Sequence, residues 1–320
     1  MIRPLLGLGA VALLAMLLAL ALGSVNIPPL ELWQVMRGEG SVLSRTLLID
    51  LRLPRTLAAF ATGGLLAVAG ALMQILLRNP LADPYVLGLS GGAAVGALLA
   101  MLAGLGTLLI SGSAFTGAML ATLLVFGLAH GTGSWTSSRL LLTGVVVAAG
   151  WGAVITLMLA LTPSYKLPGM LYWLMGDVSY ARTPWLALGV LVLAVVVILP
   201  LARNLNVLAR GPMQAAALGV SVRPLEWTIY LLASVLTATA VTTAGSVGFV
   251  GLIVPHMLRL VLGNDQRIIL PASALAGGTL LVLADTLART VIAPEQLPVG
   301  VITALLGVPT FLYLLHRSRG

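Results

Sequence analysis

Residues 53–96 read LPRTLAAFATGGLLAVAGALMQILLRNPLADPYVLGLSGGAAVG. Two uncharged apolar spans flank the short turn Arg78-Asn79-Pro80-Leu81-Ala82-Asp83-Pro84, and Arg52 and Arg55 sit at the far end of the first span. A helix rises about 1.5 Å per residue, so apolar runs of about 17 to 25 residues reach across the hydrocarbon of a bilayer. The stretch therefore reads as a helical hairpin that crosses a membrane, turns in the polar layer, and returns.

The same pattern extends in both directions. The chain is 59% hydrophobic and 8% charged, with a mean hydropathy of +1.09, too little polar surface to cover a soluble globule of 320 residues. Ten candidate spans fall at residues 4–24, 56–77, 85–104, 112–130, 140–162, 185–202, 227–246, 248–263, 269–288 and 298–315. The span 248–263 is the weakest, because it contains Pro255, His256 and Arg259. Continuous apolar runs, without lipid-facing and lumen-facing alternation, argue against a β-barrel. The first span opens with Arg3 and ends in small residues, as a signal peptide would, but its uncharged stretch exceeds the roughly 7 to 15 residues of a signal core and reads as a retained helix.

Ten spans put both termini on one side, and charge chooses the side. With the termini in the cytoplasm, ten basic residues (Arg3, Arg78, Arg139, Arg203, Arg210, Arg223, Arg259, Arg267, Arg317, Arg319) and three acids (Asp83, Glu226, Asp265) face inward, a net +7. Seven basic residues (Arg37, Arg45, Arg52, Arg55, Lys166, Arg182, Arg289) and six acids (Glu31, Glu39, Asp50, Asp177, Asp285, Glu295) face outward, a net +1. The overall +8 is thus a topology signal; scattered arginines without a basic stripe do not make a nucleic-acid surface.

Several chemistries are excluded at the sequence level. Without cysteine there is neither a disulfide nor a thiolate metal site. Lys166, the single lysine, follows Tyr165, so no phosphate-cradling Walker A loop exists and ATP hydrolysis is not expected of this chain. His130, His256 and His316 fall on different predicted segments, no acidic pair has metal-ligand spacing, and neither a metal site, a bound cofactor nor a catalytic residue is expected. The longest loops, at about 25–55 and 163–184, are too short for a second domain, so residues 1–320 read as one transmembrane domain with a cytoplasmic loop at about 203–224.

Within that loop, residues 212–218 can form a short amphipathic helix with Gly211 as N-cap, Pro212 in its first position and Gly219 as its stop. A short helix on the membrane surface suits a cleft in another protein and can transmit rigid-body motion. A plain solvated interhelical loop is the alternative, though this one is longer than helix packing requires.

The hairpin at 53–96, together with LNVLARGPMQAAALGVSV (205–222), GFVGLIVPHMLRLVLGNDQR (248–267) and ADTLARTVIAPEQLPVGVITALLGVPTFLYLL (284–315), resembles the FecCD/BtuC-type permeases of ATP-driven importers for iron chelates, haem and vitamin B12. The resemblance runs in order along nearly the whole chain. It implies an all-α polytopic membrane protein with about ten transmembrane helices and the type II ABC importer permease fold. It also implies a homodimer in the bacterial inner membrane with a pore at the subunit interface, two cytoplasmic ATP-binding subunits that hold ATP and Mg, and a periplasmic substrate-binding protein. The coupling helix it implies comprises Asn206, Leu208, Gly211, Ala215, Leu218 and Gly219; Pro212 replaces an acidic residue usual after the first glycine.

At the outer face the resemblance implies that Arg52, Arg55 and Arg289 meet acidic residues of the binding protein; snorkelling anchors are the alternative. At the inner end of span five, Thr136-Ser137-Ser138-Arg139-Leu140 resembles the gate segment of the vitamin B12 permease, which marks Ser137 and Ser138 as gate residues, with ordinary N-capping as the alternative. The small residues of Gly92–Gly96 and Gly245–Gly251 read mainly as close helix packing, around a mostly apolar path. The expected cargo is a ferric siderophore or haem, with vitamin B12 as the other reading. A secondary transporter would also have many spans but would need no coupling helix, and buried charge for proton relays is scarce. A structural or assembly membrane protein fits the hydropathy but leaves the loop motifs unexplained.

Overall fold

The computed structural model describes residues 2–23, 25–130, 137–179, 181 and 183–317. Among them run α1 (Ile2–Ala21), α2 (Pro29–Met36), α3 (Val42–Arg45), α4 (Leu53–Leu76), α5 (Leu89–Leu102), α6 (Thr107–His130), α7 (Ser137–Leu161) and α8 (Leu167–Met175). They are followed by α9 (Trp185–Ile198), α10 (Ala202–Leu208), α11 (Pro212–Ala217), α12 (Val222–Ala244), α13 (Val250–Leu262), α14 (Gln266–Ala288) and α15 (Val299–Arg317). Each of the ten expected spans coincides with one of these helices. Seven helical stretches are long and apolar enough to cross a membrane, while 89–102, 250–262 and 299–314 are shorter. At about 1.5 Å per residue the 13 residues of α13 reach only about 20 Å, short of the hydrocarbon thickness.

The central element is α4, in which 19 of 24 residues are buried. It packs against α14, α12, α13 and α9, and it continues a π-helical turn at Thr46–Arg52. Close approach explains why its sequence is so rich in glycine and alanine. A Cβ on Gly63 would lie 2.1 Å from the carbonyl oxygen of Gly277 on α14, and one on Gly70 would lie 1.9 Å from that of Gly251 on α13. The α5–α6 hairpin uses the same device, with Gly92 against Gly117 and Gly96 against Ser113. Backbones that touch in this way gain dispersion contacts that lipid cannot supply.

Pro255 lies inside α13 and has no N–H for the carbonyl of Gly251. The buried Gln74 of α4 fills the gap: its Nε2 donates to the carbonyls of Leu252 at 3.1 Å and Gly251 at 3.5 Å, while its Oε1 accepts from Arg259. Thus Arg259 and the carbonyl that Pro255 leaves free are both met by Gln74 across the helix crossing.

The two long loops hold more structure than expected. Residues 25–55 contain α2, α3 and the π-helical turn, closed over a small core of Ile27, Val35 and Leu48; residues 163–184 contain α8, with Met170 buried. Helices of eight and nine residues are too short to register as spans, and their apolar residues cover the bundle end rather than cross a bilayer.

Candidate coupling elbow and opposite-end arginine cluster

At one end of the bundle, α10 and α11 form an elbow. Gly211 turns the chain at φ +125°, a conformation that other residues avoid, and Pro212 starts α11. The helix stops at Gly219, φ +80°, with Val220 N–H donating to Ala215 O at 2.9 Å and Gly219 N–H to Ala216 O at 3.0 Å. This is a Schellman motif, which satisfies two carbonyls of the last turn.

Burial divides the six candidate coupling residues by role. Leu218 is 68% exposed, and so is its neighbour Met213 at 86%, whereas Ala215 and Leu208 are buried against the bundle. The exposed apolar face is therefore Met213 and Leu218, and Ala215 anchors the helix from beneath. Asn206 points to α14: its Nδ2 donates to Asp265 Oδ1 at 2.9 Å and its Oδ1 accepts from the Gln266 N–H at 2.8 Å. Asp265 also accepts from the Arg267 N–H at 3.0 Å. The Asn206 hydrogen bond, then that backbone N–H, hold the Asp265 carboxyl below the usual carboxylate range. The elbow is thereby bolted to the start of α14, a 23-residue helix about 34 Å long that runs to the other end of the bundle.

At that other end the three expected arginines come together, but turned inward. Arg52 is 7% exposed and Arg289 6%. Arg52 donates to the carbonyls of Leu20 at 2.7 Å, Ala21 at 3.1 Å and Val25; Arg289 donates to Ala19 O at 2.7 Å. The carbonyls of Ala19, Leu20 and Ala21 lie in the last turn of α1, where a cation complements the helix dipole, and that of Val25 follows in the loop beyond it. Arg55 grips Asp285 with Nε at 3.0 Å and Nη2 at 2.8 Å, and its Nη1 donates to Gln296 Oε1 at 2.7 Å. Asp285 also lies 3.4 Å from Arg289 Nε. The guanidinium groups of Arg52 and Arg289 thus hydrogen-bond within the chain, at the end of α1. Arg55, at the rim beside the exposed Gln296, is the member nearest solvent.

Asp285 was missed at the sequence level, although it lies four residues before Arg289, the spacing that pairs side chains on one helix face. Gln74 offered no such signal, because its partners lie almost 180 residues away. Of the gate segment, Thr136 lies outside the described residues, as does the side chain of Ser137; α7 begins at Ser137 and Ser138 is exposed. Arg182 and Arg319 are likewise outside them. His130, His256 and His316 fall on three different helices. An apolar cavity of about 350 Å³ opens between α13, α14 and α15, beside Phe249, Ile253, Met257 and Leu306.

The described residues thus form a polytopic helical bundle with a short helix held out on an elbow at one end. Residues 11–317 match the FecCD transport family, and the chain belongs to it. It is 39% identical to the hemin transport system permease protein HmuU of Yersinia pestis, over 99% of this chain and 97% of that one. It is 40% identical to the vitamin B12 import system permease protein BtuC of Escherichia coli, over 99% of this chain and 96% of that one. The fold superposes with a TM-score of 0.87 on an inward-facing ABC transporter of the metal-chelate type, at 29% identity and covering 99% of this chain and all of that one. The fold is that of a type II ABC importer permease, and the chain itself is not an ATPase.

Proposed function

We propose that residues 1–320 form the single transmembrane domain of a permease that works as a homodimer in the bacterial inner membrane, termini in the cytoplasm, and imports a metal chelate, ferric siderophore or haem. The observation that carries the reading is the elbow: Met213 and Leu218 stand exposed on a short helix that Ala215 anchors from beneath, while Asn206 of the adjoining α10 is tied to the bundle. Two ATP-binding subunits, holding ATP and Mg, receive this face. Asn206, Leu208, Gly211, Ala215 and Gly219 set its geometry, and α14 carries the displacement to the periplasmic end. There a substrate-binding protein docks on the surface that Arg52, Arg55 and Arg289 organise, with Arg55 the member placed to steer it. Helix α7 exposes nearly all of its apolar surface in the single chain, which supports a second copy across the pore, with Ser137 and Ser138 at its cytoplasmic gate.

Vitamin B12 is the second reading, because a corrinoid permease and a haem permease match this chain equally well. Liposomes containing the permease, the ATPase and the binding protein encoded with it decide the cargo. ATP-dependent uptake of haem or a ferric siderophore supports the first reading, and uptake of cyanocobalamin alone replaces it with the second. Uptake driven by an ion gradient without ATP would contradict both.

A further inference from the structure

At the arginine-cluster end a second cavity, about 760 Å³, opens where α5 ends, α6, α8 and α9 begin, and α12 ends. It lies at the level of helix termini, the headgroup layer of a bilayer. Its lining brings together Lys166 and Asp177, the carboxylate of a residue eleven positions on. Among the described residues the two do not form an ion pair with each other. Lys166 Nζ donates to Leu102 O at 2.8 Å, leaving two donors, and stands 5.9 Å from the Tyr165 ring. Asp177 accepts from the N–H and hydroxyl of Ser179, leaving lone pairs on both oxygens. Leu108 and Leu186 stand exposed at the cavity, and Tyr165 and Trp173 supply the amphipathic rings found at interfaces.

A mostly apolar chamber that holds, among the described residues, one positive and one negative group, and is bordered by leucines, matches an amphiphile whose head carries both charges. We propose that this cavity binds a zwitterionic phospholipid with a primary ammonium headgroup. Its phosphate meets the Lys166 ammonium, its ammonium donates to Asp177, and an acyl chain leaves over Leu108 and Leu186. An anionic lipid would place its surplus charge against Asp177. A quaternary ammonium lacks the N–H donors that the carboxylate accepts.

Native mass spectrometry of the detergent-purified permease, titrated separately with phosphatidylethanolamine, phosphatidylglycerol and phosphatidylcholine, tests the site. Retention of phosphatidylethanolamine above the other two is expected. Lys166→Gln should lose that retention, Lys166→Arg should keep it, and Asp177→Asn should lose the discrimination against phosphatidylglycerol. Melting temperature in detergent separates loss of the site from loss of the fold: a variant that melts like wild type yet loses the lipid supports the assignment. Equal retention of the three lipids by wild type, or unchanged selectivity in Asp177→Asn and Lys166→Gln, overturns it. Soluble phosphoethanolamine that displaces the lipid completely at equal concentration would also overturn it, by showing that the site takes a free headgroup rather than a membrane lipid.

Discussion

Arg289 has one guanidinium and two tasks: it caps the carbonyl of Ala19 and lies beside Asp285. Removing it leaves a buried carboxylate with only Arg55 and opens the end of α1. Arg289→Ala should therefore destabilise the detergent-solubilised permease by about 1–3 kcal/mol, the range for buried polar groups left without a partner. Tryptophan-fluorescence melting reads the change, with the exposed Arg45→Ala as a control near wild type; a wild-type melting point for Arg289→Ala would contradict the capping role. Asp83 sits in the turn between α4 and α5, where burial pushes its carboxyl up to about 6 while it accepts from the Tyr85 N–H. Unfolded, it titrates near 3.9. Between these values the folded chain binds more protons, so raising the pH through that window lowers stability. Asp83→Asn keeps an amide oxygen for the Tyr85 N–H and should flatten the fall in melting temperature between pH 4 and 6; identical slopes would show that Asp83 is not its source. At this scale the sequence shows which arginines stand at helix ends, but not that the end of α1 covers two of them, since Arg52 reaches it from about 30 positions away and Arg289 from 270.

At the scale of elements, the ten spans and the α11 elbow are readable because their signals are local: uninterrupted apolar length, and Gly211-Pro212 followed by Gly219. The short helices α2 and α8 carry no equally strong signal, and the pairing that accommodates Pro255 comes from another helix altogether. Gln74→Leu keeps the volume of the side chain but leaves the Gly251 and Leu252 carbonyls and Arg259 without it. A loss of about 1–3 kcal/mol, read as a lower melting temperature in detergent, is expected from such unsatisfied groups. Gln74→Glu, which still accepts from Arg259 but no longer donates to the carbonyls, should fall in stability as well; unchanged melting of both variants would show that the α4–α13 crossing does not depend on this side chain. Asn206 has a different signature. Without its amide, α10 loses its hold on Asp265 and Gln266, so Asn206→Ala should lower ATP-driven uptake while ATPase association persists. Loss of association together with uptake would make Asn206 part of the contact instead.

For the whole molecule, two polar clusters at opposite ends are joined by α14, which starts at the Asn206–Asp265 contact and ends at Asp285 and Arg289. Neither cluster sits in the apolar middle of the bundle. The proposed coupling requires that a partner grip the exposed face of α11. The most direct measurement is ATP-driven uptake in liposomes containing the permease, its ATPase and its binding protein, comparing wild type with Leu218→Asp and with Met213→Asp. Each variant places a charge on the exposed face without touching the bundle, and a hot-spot loss of about 2 kcal/mol corresponds to roughly thirtyfold weaker ATPase association. Uptake falling to the level without ATP, with melting temperature unchanged and the ATPase lost on copurification, is the expected result. Wild-type uptake and normal copurification in both variants would contradict coupling through α11.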